Sequence, residues 1–336
     1  MDQPEPHAPC PCGSGTPYGR CCQVPFTAGH LHPPGAAEEL ERALAAHSFD
    51  TLRDVQAFAE AYMAEHNRSP QEVFHGLSPE QVHRLVYFPF DSPDLIRINE
   101  APQQVAAAPV LILFGVLVEA MGDKGLKPTA KGNLPRAVCR EAARRWLGEE
   151  KYAELTRFGN INREQEFEPV HVTRVVAELA GLIRKYRGRF IPSRECRRLL
   201  DGGGLAAVYP PLFRTHVAKF NWAYSDHYPD LPFIQQAWAF TLYLLARHGH
   251  AWRLEEFYSG HFLHAFPVLA EEAPARPYAT PEKQVRHAHS MRTLHRFAGF
   301  MGLVEEEHVG SGPFSAHTRL RATPLLRKLV HFPVLD

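Results

Sequence analysis

The chain has 336 residues, 45% of them apolar, which is enough for two or three ordinary domains with cores of their own. Lys and Arg number 37 and Asp and Glu also number 37, so no global field draws the molecule to nucleic acid or an anionic membrane, and any such binding rests on local patches. The most apolar run, 106–118, is too short to span a bilayer and contains Pro109, and the acidic, Pro-rich start Met1-Asp2-Gln3-Pro4-Glu5-Pro6 has neither region of a signal peptide. A soluble cytoplasmic protein is therefore expected.

The first distinctive stretch is Cys10-Pro11-Cys12-Gly13-Ser14-Gly15-Thr16-Pro17-Tyr18-Gly19-Arg20-Cys21-Cys22. Four thiols fall within thirteen positions, and such spacing suits a tetrahedral zinc ion bound through thiolates. Gly13 and Gly15 let the backbone turn its N–H groups back toward the sulfurs. The alternative that the residues leave open is a vicinal or redox disulfide set. Over residues 10–22 the pattern resembles the SEC-C motif, the small zinc knuckle named for the C-terminus of the translocase motor SecA and found in many bacterial proteins. The C-P-C-G-S-G core, the aromatic Tyr18, the basic Arg20 and the closing pair of cysteines carry the likeness. Thr16, Pro17 and Gly19 stand where such motifs often have lysines, which weakens any basic contact surface. The resemblance implies Cys10, Cys12, Cys21 and Cys22 as ligands, a structural zinc with a closed shell, and a module that docks a protein or ribosomal partner. The two other cysteines, Cys139 and Cys196, sit alone in helix-like stretches, and free thiols beside a thiolate site indicate a reducing compartment.

Residues 1–24 are thus expected to be a knuckle and 25–35, with three prolines and two glycines, a tether. The body begins near Ala36, with amphipathic helices over 38–46 and 50–65, the second striped by Leu52, Val55, Phe58, Ala59 and Tyr62. Ser78-Pro79-Glu80-Gln81 reads as a capping box with proline at the first helical position. A theme then recurs three times: a buried helix, a glycine, a short extended piece, and a Ser or Thr that caps a new helix. Its instances end at Leu126-Lys127-Pro128-Thr129, at Phe190-Ile191-Pro192-Ser193 and at Leu320-Arg321-Ala322-Thr323. Helix, hairpin, helix resembles the winged-helix layout in general, over 130–201 and 231–332. In the third instance Thr280-Pro281 starts a helix whose apolar stripe is Val285, Ala288, Met291, Leu294, Phe297 and Met301. Arg286, Arg292 and Arg296 lie on its opposite face, and the wing strands are 303–308 and 317–322. The aromatic-rich stretch from Tyr209 to Phe240 reads as core, with a central helix over 233–246.

The densest basic patch is Arg184-Lys185-Tyr186-Arg187-Gly188-Arg189, followed by Arg194, Arg197 and Arg198; a wing tip at Arg187-Gly188 would carry these charges to phosphates. The competing reading pairs them with Glu164, Glu166 and Glu168, which, with His171, look like a solvent-facing segment before Pro169. Of the 20 histidines, His261/His264 and His287/His289 are spaced to converge, but a second metal site needs a third ligand that the sequence does not single out. No metalloprotease, Walker, Rossmann or nucleophile-elbow motif is present, so the case for an enzyme is weak.

The fold expected is mainly helical: a zinc knuckle, a helical domain over 36–129, a winged-helix-like unit over 130–205 and a helical, winged-helix-like C-terminal domain over 206–336. The function expected is a non-enzymatic adaptor that docks a protein partner through its structural zinc knuckle. The alternative is a nucleic-acid-binding regulator using Arg184, Lys185, Arg187, Arg189, Arg286, Arg292 and Arg296; an enzyme with a dispersed site is the third reading.

Overall fold

The computed structural model describes residues 35–103, 105–224, 226, 228, 231–274, 276–310 and 317–336. The knuckle, Gly29, and the centre of the Gly-rich loop 310–313 lie outside the described residues. The described chain is mainly helical with small antiparallel sheets.

Helices α1 (Ala36–Ala45) and α2 (Leu52–Arg68) form first, the second held by a Thr51–Asp54 capping box. Neither end of the expected stripe reaches the core: α2 has no fully buried residue, and Phe58 instead packs on His47, Phe49 and Tyr62 in a small satellite cluster. The Ser78–Gln81 box forms as the sequence dictates, opening α3 (Pro79–Tyr87) with Gln81 N donating to Ser78 Oγ at 3.2 Å and Ser78 N donating to Gln81 Oε1 at 2.9 Å.

After a short strand β1 (Arg97–Ile98), α4 (Pro109–Met121) is buried nearly all round, as its unbroken apolar run requires. It packs on α5 (Arg136–Leu155), which kinks at Gly148, and on α6 (Glu168–Leu179). A hairpin follows: β2 (Ile183–Tyr186) and β3 (Arg189–Pro192) pair antiparallel, with Tyr186 opposite Arg189. The two-residue turn between them puts both Arg187 (φ 47°) and Gly188 (φ 73°) in the left-handed region, the geometry that matches strand twist. Ser193 caps α7 (Arg194–Gly203) through Cys196 N. The first instance of the theme ends differently from expectation. Thr129 caps no helix; its hydroxyl accepts from Asn133 N at 3.1 Å within a turn, and α5 starts only at Arg136, because Pro135 blocks an earlier start.

The second half is built on α8 (Tyr209–Ala218), α9 (Pro232–Gln236) and α10 (Trp238–His248), whose residues Trp238 to Leu245 are all buried. Strand β4 (Arg253–Leu254), α11 (Glu255–Ala265) and α12 (Val268–Glu272) lead to α13 (Pro281–His289), capped by Thr280 as read from the sequence. There the helix changes character. Residues Ser290–Gly299 form a π-helical segment, with Phe300 N donating to His295 O five residues back. Strands β5 (Val304–Val309) and β6 (His317–Ala322) form the expected hairpin, β4 adds to the far side of β6, and Thr323 caps α14 (Pro324–Leu329). Strand β7 (Val330–His331) returns to pair with β1, tying the end of the chain to residues 97–98.

One apolar core runs through these elements from Phe74 to Phe332. Hydrogen bonds stitch its halves together: Val110 N donates to Phe300 O at 3.1 Å, and the Tyr243 hydroxyl donates to His75 O at 2.8 Å, while within the second half the buried Tyr209 hydroxyl donates to Met301 O at 2.7 Å. Gly302 (φ 74°) sits where a Cβ would strike Ala108 at about 3 Å, so the turn after the π-helical segment closes onto α4 only with glycine there. Helix, hairpin and capped helix thus occur twice, at 168–203 and 281–329.

Candidate functional site

Two features stand out, a cationic hairpin and an aromatic cavity. The hairpin β2–β3 presents Arg184, Lys185, Arg187 and Arg189 to solvent. Among the described residues the first three form no ion pair. The acids that could have neutralised them are engaged elsewhere: Glu164 with His171 and Arg174, Glu166 with Arg163, Glu168 with Arg296. Instead the cations stack on rings, Arg184 and Arg187 over Tyr186 at 5.1 and 5.2 Å and Lys185 over Phe190 at 5.0 Å. Arg189 is partly used, donating from Nη1 to Gly125 O at 2.9 Å. That bond, with the reciprocal Leu126–Phe190 backbone pair, lays segment 124–132 beside β3 and brings exposed Lys124, Lys127 and Lys131 to the same neighbourhood. The β5–β6 hairpin is the contrasting case. Its cross-strand partners are oppositely charged and paired, Glu305 with Arg321 at 2.6 Å and Glu307 with Arg319 at 2.7 Å.

The second feature is a cavity of about 370 Å³. One wall comes from α4, α5 and α6 through Pro109, Trp146, Pro169 and Val172; another from α8 and the loop after it through His216, Phe220, Trp222 and Tyr224; the third from the π-helical segment and β5. Trp222 is fixed by its indole N–H donating to His216 O at 2.9 Å and by its backbone N–H donating to Gln235 Oε1 at 3.0 Å, with its ring 4.7 Å from Phe297. Burial drives the His216 imidazole down to about 3, so that ring is neutral.

The charged side of the cavity is built on three cations, Arg292, His295 and Arg296, in four ion pairs. Arg292 donates from Nε and Nη2 to Asp226 at 2.5 and 3.1 Å, with both side chains almost wholly withdrawn from water. His295 lies between two carboxylates, Nε2 at 2.7 Å from Glu255 and Nδ1 at 3.0 Å from Glu306. Burial opposes its charge, but the hydrogen bonds to Glu255 and then Glu306 outweigh it and raise the imidazole to about 9. Arg296 Nη2 lies 2.8 Å from Glu168 Oε2; there burial wins, and Glu168 is pushed above the usual carboxylate range although Arg296 opposes it. Gly299 is required for the His295 arrangement, since a Cβ at that position would collide with the Glu306 carboxylate.

These positions correct two sequence readings. Arg292 and Arg296 are not on an exposed basic face with Arg286; only Arg286 is exposed. The stripe was spaced for 3.6 residues per turn, whereas the wider π turn brings Arg292 and Thr293 inward beside Leu294 and aims Arg296 at the cavity. Nor is 164–171 solvent-facing throughout: Gln165 and Glu166 are exposed, but Glu164 and His171 are buried. Glu164 is fully buried and accepts from His171 Nδ1 at 2.8 Å, Arg174 Nε at 2.6 Å and Leu134 N at 2.6 Å. Burial penalises its charge, yet the hydrogen bonds, His171 first, hold it below the ordinary carboxylate range.

The histidines behave as follows. His261 is joined by His75 and His248, with His75 Nδ1 3.1 Å from His248 Nε2, and burial lowers both of these to about 4. His287 is exposed, while His289 is buried, 3.0 Å from Thr241 Oγ1. Among the described residues no group of three or more His, Cys, Asp or Glu is arranged to hold a metal ion. Cys10, Cys12, Cys21 and Cys22 lie outside the described residues. Cys139 and Cys196 are buried free thiols, pushed up by burial to about 12 and about 11. No helix of the described residues is long and apolar enough to cross a membrane.

Two family models match the chain: the SEC-C motif at residues 8–23 and the Y4jL N-terminal domain at residues 106–204. The first covers the four-cysteine stretch and is in general a zinc-binding type of motif. The second starts just before α4 and ends with α7, so it takes in the cationic hairpin, α6 with its Glu164–His171–Arg174 cluster at the N-terminal side, and one wall of the cavity. No curated protein and no solved structure matches.

Proposed function

We propose that this protein is a non-enzymatic interaction protein whose body contacts nucleic acid through the β2–β3 hairpin, and whose N-terminal knuckle holds a structural zinc and docks a protein partner. The observation that carries the nucleic-acid part is the difference between the two hairpins. One neutralises its charges across the strands, while the other leaves Arg184, Lys185 and Arg187 without acidic partners among the described residues and backs the two arginines with Tyr186. Exposed cations on a protruding two-residue turn fit the phosphate backbone, and the lysines of 124–132 extend the strip. The helix–hairpin–helix succession is compatible with a winged-helix use of this turn.

The docking part is supported by the SEC-C match. Four thiolates are a donor set that fits zinc, and a shell closed by Cys10, Cys12, Cys21 and Cys22 leaves no position for substrate, so the ion stabilises a segment too short to bury a core. The bacterial cytoplasm fits the motif and the free thiols.

The test is binding of the zinc-loaded full chain to mixed-sequence DNA and RNA, followed by fluorescence anisotropy across a salt series. Counterion release makes log affinity fall linearly with log salt, with a slope close to the number of phosphates neutralised. A slope of several units, reduced in Arg184→Glu/Arg187→Glu, is the expected result. Absence of binding at low salt removes the nucleic-acid part and leaves the knuckle as the working end.

A further inference from the structure

The cavity beside the π-helical segment is used by neither part of that function. Trp146, Phe220, Trp222, Tyr224 and Phe300 put aromatic rings into its walls, and its size falls in the range of small-molecule sites. Flat aromatic walls select a planar ring system, because stacking and edge contacts reward aromatic surface beyond its simple burial.

The polar side decides the rest of the ligand. Arg292 spends its donors on Asp226 and is closed off from water, and His295 spends both ring nitrogens on Glu255 and Glu306. Arg296 differs. Its ion pair with Glu168 uses Nη2, it is about one-third exposed on the cavity, and among the described residues Nε and Nη1 have no hydrogen-bond partner. Glu168 takes only one side of Nη2, so the other Nη2 N–H and its neighbour, Nε–H or Nη1–H, remain as a coplanar fork of the kind that takes a carboxylate through two hydrogen bonds. The present partner of Arg296, Glu168, is a carboxyl that burial makes less willing than usual to carry charge. A dianion such as a phosphate monoester would add a second negative charge next to Glu168 and Glu306, with one available fork to balance it.

We infer that the cavity is a binding site for a planar aromatic monocarboxylate, with the ring between Trp146 and the Trp222 wall and the carboxylate on Arg296. This site is independent of the hairpin. It occupies the junction of the 106–204 span with the α8 and π-helical elements, so a ligand there touches both halves of the molecule.

Isothermal titration of the zinc-loaded full chain with 2-naphthoate, 2-naphthamide and 2-naphthylmethylamine, without nucleic acid, tests the assignment. The carboxylate should bind at least about tenfold more tightly than the neutral amide or the amine. Arg296→Lys, which keeps the charge and loses the fork, should erase that preference, while Arg187→Glu should leave it unchanged; thermal melting of each variant verifies that it is folded. The assignment fails if naphthoate does not bind at millimolar concentration. It fails equally if the three probes bind alike, if the amine is preferred, or if folded Arg296→Lys retains the preference.

Discussion

Arg292 Nε lies 2.5 Å from Asp226 Oδ2, and neither side chain has more than about 2% of its surface in water. The pair joins the π-helical segment to the loop before α9, sixty-six positions earlier in the chain. Removing water from both charges is costly, and their mutual hydrogen bonds offset that cost only while both are present. Asp226→Ala should therefore cost about 3–5 kcal/mol in chemical denaturation, whereas Asp226→Asn, which keeps a hydrogen-bonding group of the same shape, should cost less. Equal losses in the two variants would mean that the lost charge alone sets the cost and that the hydrogen-bonding shape kept by asparagine contributes nothing.

Opposed histidines should give the protein a stability maximum near neutrality. Unfolded, each imidazole takes its proton near 6.5; folded, His75 and His248 resist until about 4, and His216 and His289 until about 3, chiefly through burial. Between those values the unfolded chain binds more protons. This contribution is therefore complete above pH 6.5 and lost as pH falls through the folded values. His295, raised to about 9, works in the other direction: its contribution is complete below 6.5 and lost as pH rises through 9. Denaturation midpoints measured from pH 4 to 10 should show both limbs, and His295→Gln should flatten the alkaline limb while leaving the acid one.

Gly299→Ala probes the same histidine from its neighbour. The added methyl would occupy the space of the Glu306 carboxylate and push it off His295 Nδ1. With Glu255 alone as partner, His295 should titrate lower, by about 1 pKa unit or more, as read from its ring carbon shifts in NMR. An unchanged titration would show that Glu306 finds another route to the imidazole.

Local signals were legible in the sequence where the chemistry is local. Ser78, Ser193, Thr280 and Thr323 each cap the helix they precede, and Arg187-Gly188 forms the turn that its residues dictate. The cavity was not legible, because it is assembled from groups that meet only in three dimensions: Asp226 with Arg292, Glu168 with Arg296, Glu255 and Glu306 with His295. The aromatic stretch Phe220 to Tyr224 was the nearest signal. Phe220 and Trp222 are indeed buried, as a core reading expects, but they also form a wall. The π-helical segment was beyond periodicity altogether, since a stripe at 3.6 spacing runs through Val285, Ala288, Leu294 and Phe297 whether or not the helix widens.

Removal of the metal separates the knuckle from the body. Among the described residues the core from Phe74 to Phe332 is continuous, and it should stay folded when the four-cysteine stretch loses its ion. Purified chain should carry about one zinc, measured by elemental analysis, and Cys12→Ser or a strong chelator should release it. The melting transition of the body should then remain within error of the parent, while capture of a protein partner through the knuckle is lost. Melting of the body together with zinc release would make the knuckle part of the core. A chain purified under reducing conditions without zinc would favour the disulfide reading of Cys10, Cys12, Cys21 and Cys22.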